Sequence, residues 1–164
     1  MTKQKTLSDS KEAFYKQFPY VIPNIYRRIA DEILVELYLL SNNKSFQEDP
    51  LFDIGLYKTF NELTKGYRPK KHIGKLFEAI CNSNGFDHKK IIETNEREMK
   101  ELKTFDISKI KSYLDQKESK NKNNIQKELK ILDVKPKSYN RLNAIGLFII
   151  LQAMENKENC DINI

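Results

Sequence analysis

The chain has 164 residues, of which 39% are hydrophobic and 32% are charged, a balance that favours slender helices with one buried stripe and a wide solvated face. Its net charge of +6 is compatible with an acidic partner, although Lys is also abundant throughout the sequence. Two distant cysteines, Cys81 and Cys160, argue against a disulfide framework or a zinc site, and no run approaches the roughly 18 apolar residues of a membrane span, so we expect a soluble or peripheral protein.

The first half of the chain predicts three helices. Ser8-Asp9-Ser10 offers capping side chains to a short first helix that Pro19 stops. Between residues 24 and 40, apolar side chains recur at spacings of three and four, which predicts a helix with a stripe facing the core. Asp49 before Pro50 predicts the cap of a third helix that runs to about residue 65. The stripe of the second helix comprises Ile25, Ile29, Ile33, Leu37 and Leu40.

The second half is also predicted to be helical. Gly66-Tyr67-Arg68-Pro69 indicates a turn before a helix over residues 71–83, and Asp87 is positioned to cap another helix that ends near residue 102. Shorter helices are predicted over residues 107–114 and 125–132, separated by a flexible polar linker at 116–124. The last helix, over 138–155, contains the apolar run 144–151, which we expect to be buried between other helices or docked on a partner. Strand patterns are absent, so we predict a single all-α domain over residues 1–164 with six to eight helices.

No constellation of side chains in the sequence is typical of an enzyme. His72 and His88 are isolated among lysines, where we expect solvated side chains, and Cys81 lies among apolar residues as a small core residue would. Glu32 and Glu36 stand one turn apart, but nothing elsewhere completes an acid–base pair, so ordinary surface carboxylates are the better interpretation. We therefore expect no catalysis, no cofactor and no metal.

The densest charge lies in residues 65–75, where five cations occur without one acidic residue: Lys65, Arg68, Lys70, Lys71 and Lys75. Each would contribute about 1 kcal/mol at an anionic surface. A solvated turn without a ligand is the alternative. Nucleic-acid binding is disfavoured, because Tyr67 is the only aromatic residue in the segment.

Several stretches resemble the thylakoid formation protein family, photosystem II biogenesis and repair factors of cyanobacteria and chloroplasts. The resemblance is strongest in Ile25-Tyr26-Arg27-Arg28-Ile29 and in the string from Glu32 to Ser41, Glu-Ile-Leu-Val-Glu-Leu-Tyr-Leu-Leu-Ser. It continues through Asp49-Pro50, Gly66-Tyr67-Arg68-Pro69 and Ala144-Ile145-Gly146-Leu147-Phe148.

The resemblance implies an all-helical protein without catalytic residues or cofactors. It also implies association with the cytoplasmic or stromal side of the thylakoid membrane, with FtsH-type protease complexes and with photosystem II assembly intermediates. Family members commonly carry a longer C-terminal helical extension with coiled-coil character, so a shortened extension is expected here.

Three hypotheses about binding follow. The first is an adaptor whose motif residues contact a protein partner, although the same residues would also serve to lock helices together. Its candidate residues are Tyr26, Arg27, Arg28, Glu32, Glu36, Tyr67, Arg68 and Lys70. The second is a peripheral membrane protein that holds anionic lipid with Lys65, Arg68, Lys70, Lys71 and Lys75. The third, and least favoured, is a basic nucleic-acid-binding module.

Overall fold

The structure, a computed structural model, describes residues 5–104 and 140–161. Across these residues it is all-α, which confirms the predicted fold class. The helices predicted over 107–114 and 125–132 and the linker at 116–124 lie outside the described residues. The α-helices are α1 (Leu7–Gln17), α2 (Asn24–Ser41), α3 (Pro50–Leu63), α4 (Ile73–Asn82), α5 (His88–Thr104) and α6 (Arg141–Asp161). None of the helices in this described part is long and apolar enough to cross a membrane.

The chain separates into two compact units, and helices α3 and α5 contribute residues to both. The first unit comprises residues 1–46 and 57–91, and the second comprises residues 47–56 and 92–164. The single domain expected from the sequence stays a prediction.

In the first unit, α1, α2 and α4 pack against one another. Phe14 lies in α1 and Phe18 is its C-cap residue, and their ring centroids are 6.2 Å apart in this core. The ring centroids of Phe60 in α3 and Phe77 in α4 are 4.8 Å apart. The cap of α1 differs from the prediction: the Thr6 hydroxyl accepts from the Asp9 amide, and the Asp9 carboxylate accepts from the Thr6 amide. This reciprocal capping box begins the helix at Leu7, before the serines that the sequence suggested.

Helix α2 has the predicted bounds but a different buried face. Its buried residues are Ala30, Ile33, Leu34 and Leu37. Ile25, placed in the core stripe by its spacing, is 69% exposed. It precedes Leu34 by nine residues, which is two and a half turns at 3.6 residues per turn and puts the two on opposite sides of the helix. The assignment of Ile25 to the core was therefore wrong.

The second unit depends on a close approach of α3 and α6 at two glycines. A Cβ added to Gly55 would lie 2.8 Å from the carbonyl carbon of Leu142, and one added to Gly146 would lie 2.8 Å from that of Leu51. Polar caps fix the same pair of helices. The Asp49 carboxylate accepts from the Phe52 amide at 2.9 Å, as the sequence predicted, and also from the side-chain amide of Asn143 at 2.7 Å.

The apolar run of α6 is buried on one side only. Leu142, Gly146 and Ile150 recur every four residues on the buried side, where Ile150 joins a cluster with Leu51 and Ile54. Burial of the whole run between helices is wrong for three residues that project from the other side, for which docking on a partner stays a prediction: Leu147, Phe148 and Leu151. The glycine contact accounts for this, because it fixes which side of α6 faces α3.

Replacing Gly55 or Gly146 with alanine should destabilise the protein by about 1–3 kcal/mol or more, because the new methyl group forces two backbones apart. Gly74 provides a matched control, since a Cβ there would meet nothing within 4 Å. Gly74→Ala should be neutral or stabilise the protein by up to about 1 kcal/mol through helix propensity. Urea unfolding followed by circular dichroism measures all three changes. Equal stability of Gly55→Ala and Gly74→Ala would contradict the close approach.

Candidate interaction surface

Residues 65–75, here named the basic turn, carry five cations. All five lie on the surface of the first unit. The chain leaves α3, passes through the buried Tyr67 and a cis Arg68–Pro69 peptide bond, and forms a short 3-10 helix, Lys70–His72, before α4. The predicted helix over 71–83 is therefore a 3-10 turn followed by an α-helix. Lys65 forms an ion pair with Glu62 at 2.6 Å. Arg68, Lys70 and Lys71 have no ion pair among the described residues, so they remain available to an anionic ligand.

Aromatic packing holds the start of the basic turn against α2. The Tyr26 ring meets the Tyr67 ring edge to face, with centroids 5.0 Å apart. The Tyr26 hydroxyl lies 2.6 Å from the position that a Cβ on Gly66 would occupy, so only glycine fits there without displacing the tyrosine. Tyr26 is half-buried and Tyr67 is 0% exposed. We therefore assign both tyrosines to positioning the turn. This is the alternative raised by the sequence, in which motif residues hold helices together.

The hydroxyl of Tyr67 is buried without a hydrogen-bond partner in the described part of the chain. Burial disfavours the charged phenolate and raises the pKa of Tyr67 above its ordinary value of 10.0. An unpaired buried hydroxyl costs about 1–3 kcal/mol. The turn is thus held in place by ring packing rather than by this hydroxyl.

The end of the basic turn is held by a second aromatic contact. The ring of Tyr20 stacks on His72 with centroids 4.1 Å apart, and Lys75 donates to the Tyr20 hydroxyl at 3.3 Å. The Lys75 ammonium also lies 5.5 Å from the centre of the Tyr20 ring, within the range of a cation–π interaction. His72 is half-buried, which corrects the expectation of a solvated histidine. Sequence spacing gave no signal for this contact, because Tyr20 and Lys75 are 55 positions apart.

The remaining candidates lie on α2. Arg27, Arg28 and Glu32 are exposed and form what we name the α2 motif face, whereas Glu36 is half-buried. Arg28 pairs with Glu32 at 3.3 Å, with side chains 85% and 65% exposed. Such a pair contributes only about 0.3–0.5 kcal/mol. Arg27 has no ion pair within residues 5–104 and 140–154, so the fold gains little from these charges.

The described residues contain no group of three or more His, Cys, Asp or Glu side chains placed to hold a metal ion. Cys81 is a buried residue of α4, as the sequence predicted. The surface presents exposed cations, the exposed ion pairs Lys65–Glu62 and Arg28–Glu32, and nearby apolar side chains.

Comparison with known proteins gives consistent results. A family model described as thylakoid formation protein matches residues 6–163. Protein Thf1 of Prochlorococcus marinus (strain NATL1A) is 42% identical over 94% of this chain and 71% of its own length. Protein Thf1 of Prochlorococcus marinus subsp. pastoris (strain CCMP1986 / NIES-2087 / MED4) is 48% identical over 74% of this chain and 60% of its own. A solved structure of Psb29 superposes with a TM-score of 0.71 and 29% identity, covering 90% of this chain and 75% of that one.

The buried Tyr67 hydroxyl predicts a specific response to alkaline pH. Tyr67→Phe should raise the free energy of unfolding by about 1 kcal/mol at neutral pH, because it removes an unpaired buried group. Since the folded pKa lies above the unfolded value of 10.0, the unfolded chain loses this proton first. Stability is therefore lost as pH rises above about 10, and the variant should lose less of it. Urea unfolding between neutral and alkaline pH tests this, with the exposed Tyr15→Phe as control. An identical pH profile for wild type and Tyr67→Phe would contradict it.

Proposed function

The chain belongs to the thylakoid formation protein family, and from this premise we propose that it is a non-enzymatic accessory protein in photosystem II biogenesis, quality control and repair. In this proposal it acts as an adaptor that binds a thylakoid FtsH-type protease complex, and through it photosystem II assembly intermediates. It works on the cytoplasmic or stromal side of the membrane. Binding, rather than turnover of a substrate, is its mechanism.

The observation that carries the proposal is the α2 motif face. Arg27, Arg28 and Glu32 belong to the stretches that resemble the family, yet they lie in solvent while Ala30 and Leu34 hold the helix in the core. These three side chains contribute little to the stability of the fold, since an exposed ion pair contributes a few tenths of a kcal/mol. Arg is also enriched where interfaces derive most of their binding energy. A protein surface with complementary charges fits this arrangement.

Affinity capture from solubilised cyanobacterial thylakoids tests the adaptor proposal. The wild-type chain should retain FtsH-type protease subunits, and Arg27→Glu with Arg28→Glu should reduce their recovery about tenfold or more, because juxtaposed like charges in an interface cost several kcal/mol. Lys44→Glu with Lys89→Glu is the matched control: it makes the same charge change at exposed positions outside the α2 motif face.

Recovery with the control should match wild type. If wild type captures no protease subunit, the adaptor proposal is wrong. If both double variants lose recovery equally, the interaction depends on overall charge and not on the α2 motif face. A third variant, with Arg68, Lys70 and Lys71 changed to Glu, reports whether the basic turn contributes to the same interaction.

A further inference from the structure

The two most exposed large aliphatic side chains among the described residues lie close together in the chain. Val21 is 88% exposed and Ile25 is 69% exposed. Single exposed apolar side chains are ordinary on protein surfaces. These two are unusual because residues 20–26, the end of the α1–α2 loop and the first residues of α2, contact the basic turn at both of its ends.

Each exposed aliphatic residue is the chain neighbour of a tyrosine that touches the basic turn. Val21 follows Tyr20, which contacts His72 and Lys75, and Ile25 precedes Tyr26, which contacts Tyr67. Each aliphatic residue is therefore one Cα–Cα step of about 3.8 Å from a backbone position whose side chain contacts the turn. Between them, Ile22 is buried just before α2 begins and anchors this part of the backbone. The apolar tips are therefore presented by a fixed backbone.

We propose that residues 20–26 and the basic turn together form a docking surface for an anionic lipid bilayer, with Val21 and Ile25 entering the boundary between headgroups and acyl chains. Arg68, Lys70 and Lys71 would hold the acidic headgroups. All three cations are exposed, and no acidic residue occurs in residues 65–75. This proposal does not depend on the protease interaction, since it uses different residues.

Charge and side-chain chemistry favour lipid over the alternatives. Binding to single-stranded nucleic acid requires aromatic faces on which bases stack. Here Tyr67 is buried and Tyr20 already stacks on His72. Aliphatic tips beside lysines and arginines instead match interfacial membrane binding, in which apolar insertion and attraction to anionic headgroups add.

Vesicle flotation with the full chain tests the surface. The protein should bind vesicles of phosphatidylcholine mixed with phosphatidylglycerol, and not vesicles of phosphatidylcholine alone. Val21→Ser with Ile25→Ser should lower partitioning about tenfold or more, since two exposed side chains no longer leave water. Changing Arg68, Lys70 and Lys71 to Gln should lower partitioning about fivefold for each cation, and therefore about a hundredfold together. The same change should make partitioning depend less on salt concentration.

Matched controls keep the test specific. Leu39→Ser with Phe148→Ser removes two apolar side chains, 61% and 62% exposed, that belong to neither residues 20–26 nor the basic turn. Changing Lys44, Lys89 and Lys100 to Gln removes three exposed cations outside the basic turn. Both controls should bind like wild type. Equal loss of binding in a control and its test variant would overturn the assignment to this surface.

Insertion has a direct spectroscopic signature, because the chain contains no tryptophan. Val21→Trp introduces a single tryptophan, excited at wavelengths that tyrosine does not absorb, whose emission should shift to shorter wavelength on adding phosphatidylglycerol vesicles, whereas Leu39→Trp should show no shift. Absence of a shift at Val21→Trp despite flotation would overturn insertion. Failure of wild type to float, or binding of an RNA or DNA oligonucleotide in place of vesicles, would overturn the proposal. Protease capture can succeed or fail independently of each result.

Discussion

The approach of α3 and α6 at Gly55 and Gly146 is the constraint on which the second unit depends. Two helices can bring their backbones this close only where neither carries a Cβ at the crossing. The crossing fixes the rotation of α6, and rotation decides that Ile150 is buried while Phe148 faces solvent. The Asp49 carboxylate then joins the ends of the same two helices by accepting from both Phe52 and Asn143. Because α3 continues into the first unit, where Phe60 packs on Phe77, the same helix contributes to both cores.

In the first unit, functional geometry depends on aromatic contacts between segments distant in sequence. Tyr26 of α2 contacts the start of the basic turn, and Tyr20 of the preceding loop contacts its end. The Tyr67 hydroxyl remains unpaired within the described residues, a cost that the ring packing must exceed. Ring packing therefore accounts for an aromatic side chain at this position, but not for its hydroxyl.

Local patterns predicted the helices well and their partners poorly. The bounds of α2, the Asp49 cap and the burial of Cys81 all followed from spacing and capping chemistry. Ile25 was misplaced because a periodic apolar pattern does not say which neighbours a helix packs against, and α2 meets both α1 and α4. The burial of Tyr67 and the stacking of His72 on Tyr20 could not be predicted, since both depend on residues more than 40 positions away. Resemblance to a family identified the motif residues without distinguishing those that position the turn from those that face solvent.

The two proposed interactions differ in the distance over which their charges act. The basic turn carries +5 of the net +6, so the remainder of the chain is almost balanced. In the membrane proposal this cluster acts over about a Debye length, roughly 8–10 Å at physiological ionic strength, and attracts an anionic surface. The α2 motif face combines two arginines with one glutamate, a pattern with little net charge but definite geometry, which suits recognition at contact. A protein held at the membrane by the first surface would search for its partner in two dimensions, and a modest affinity at the second would then suffice.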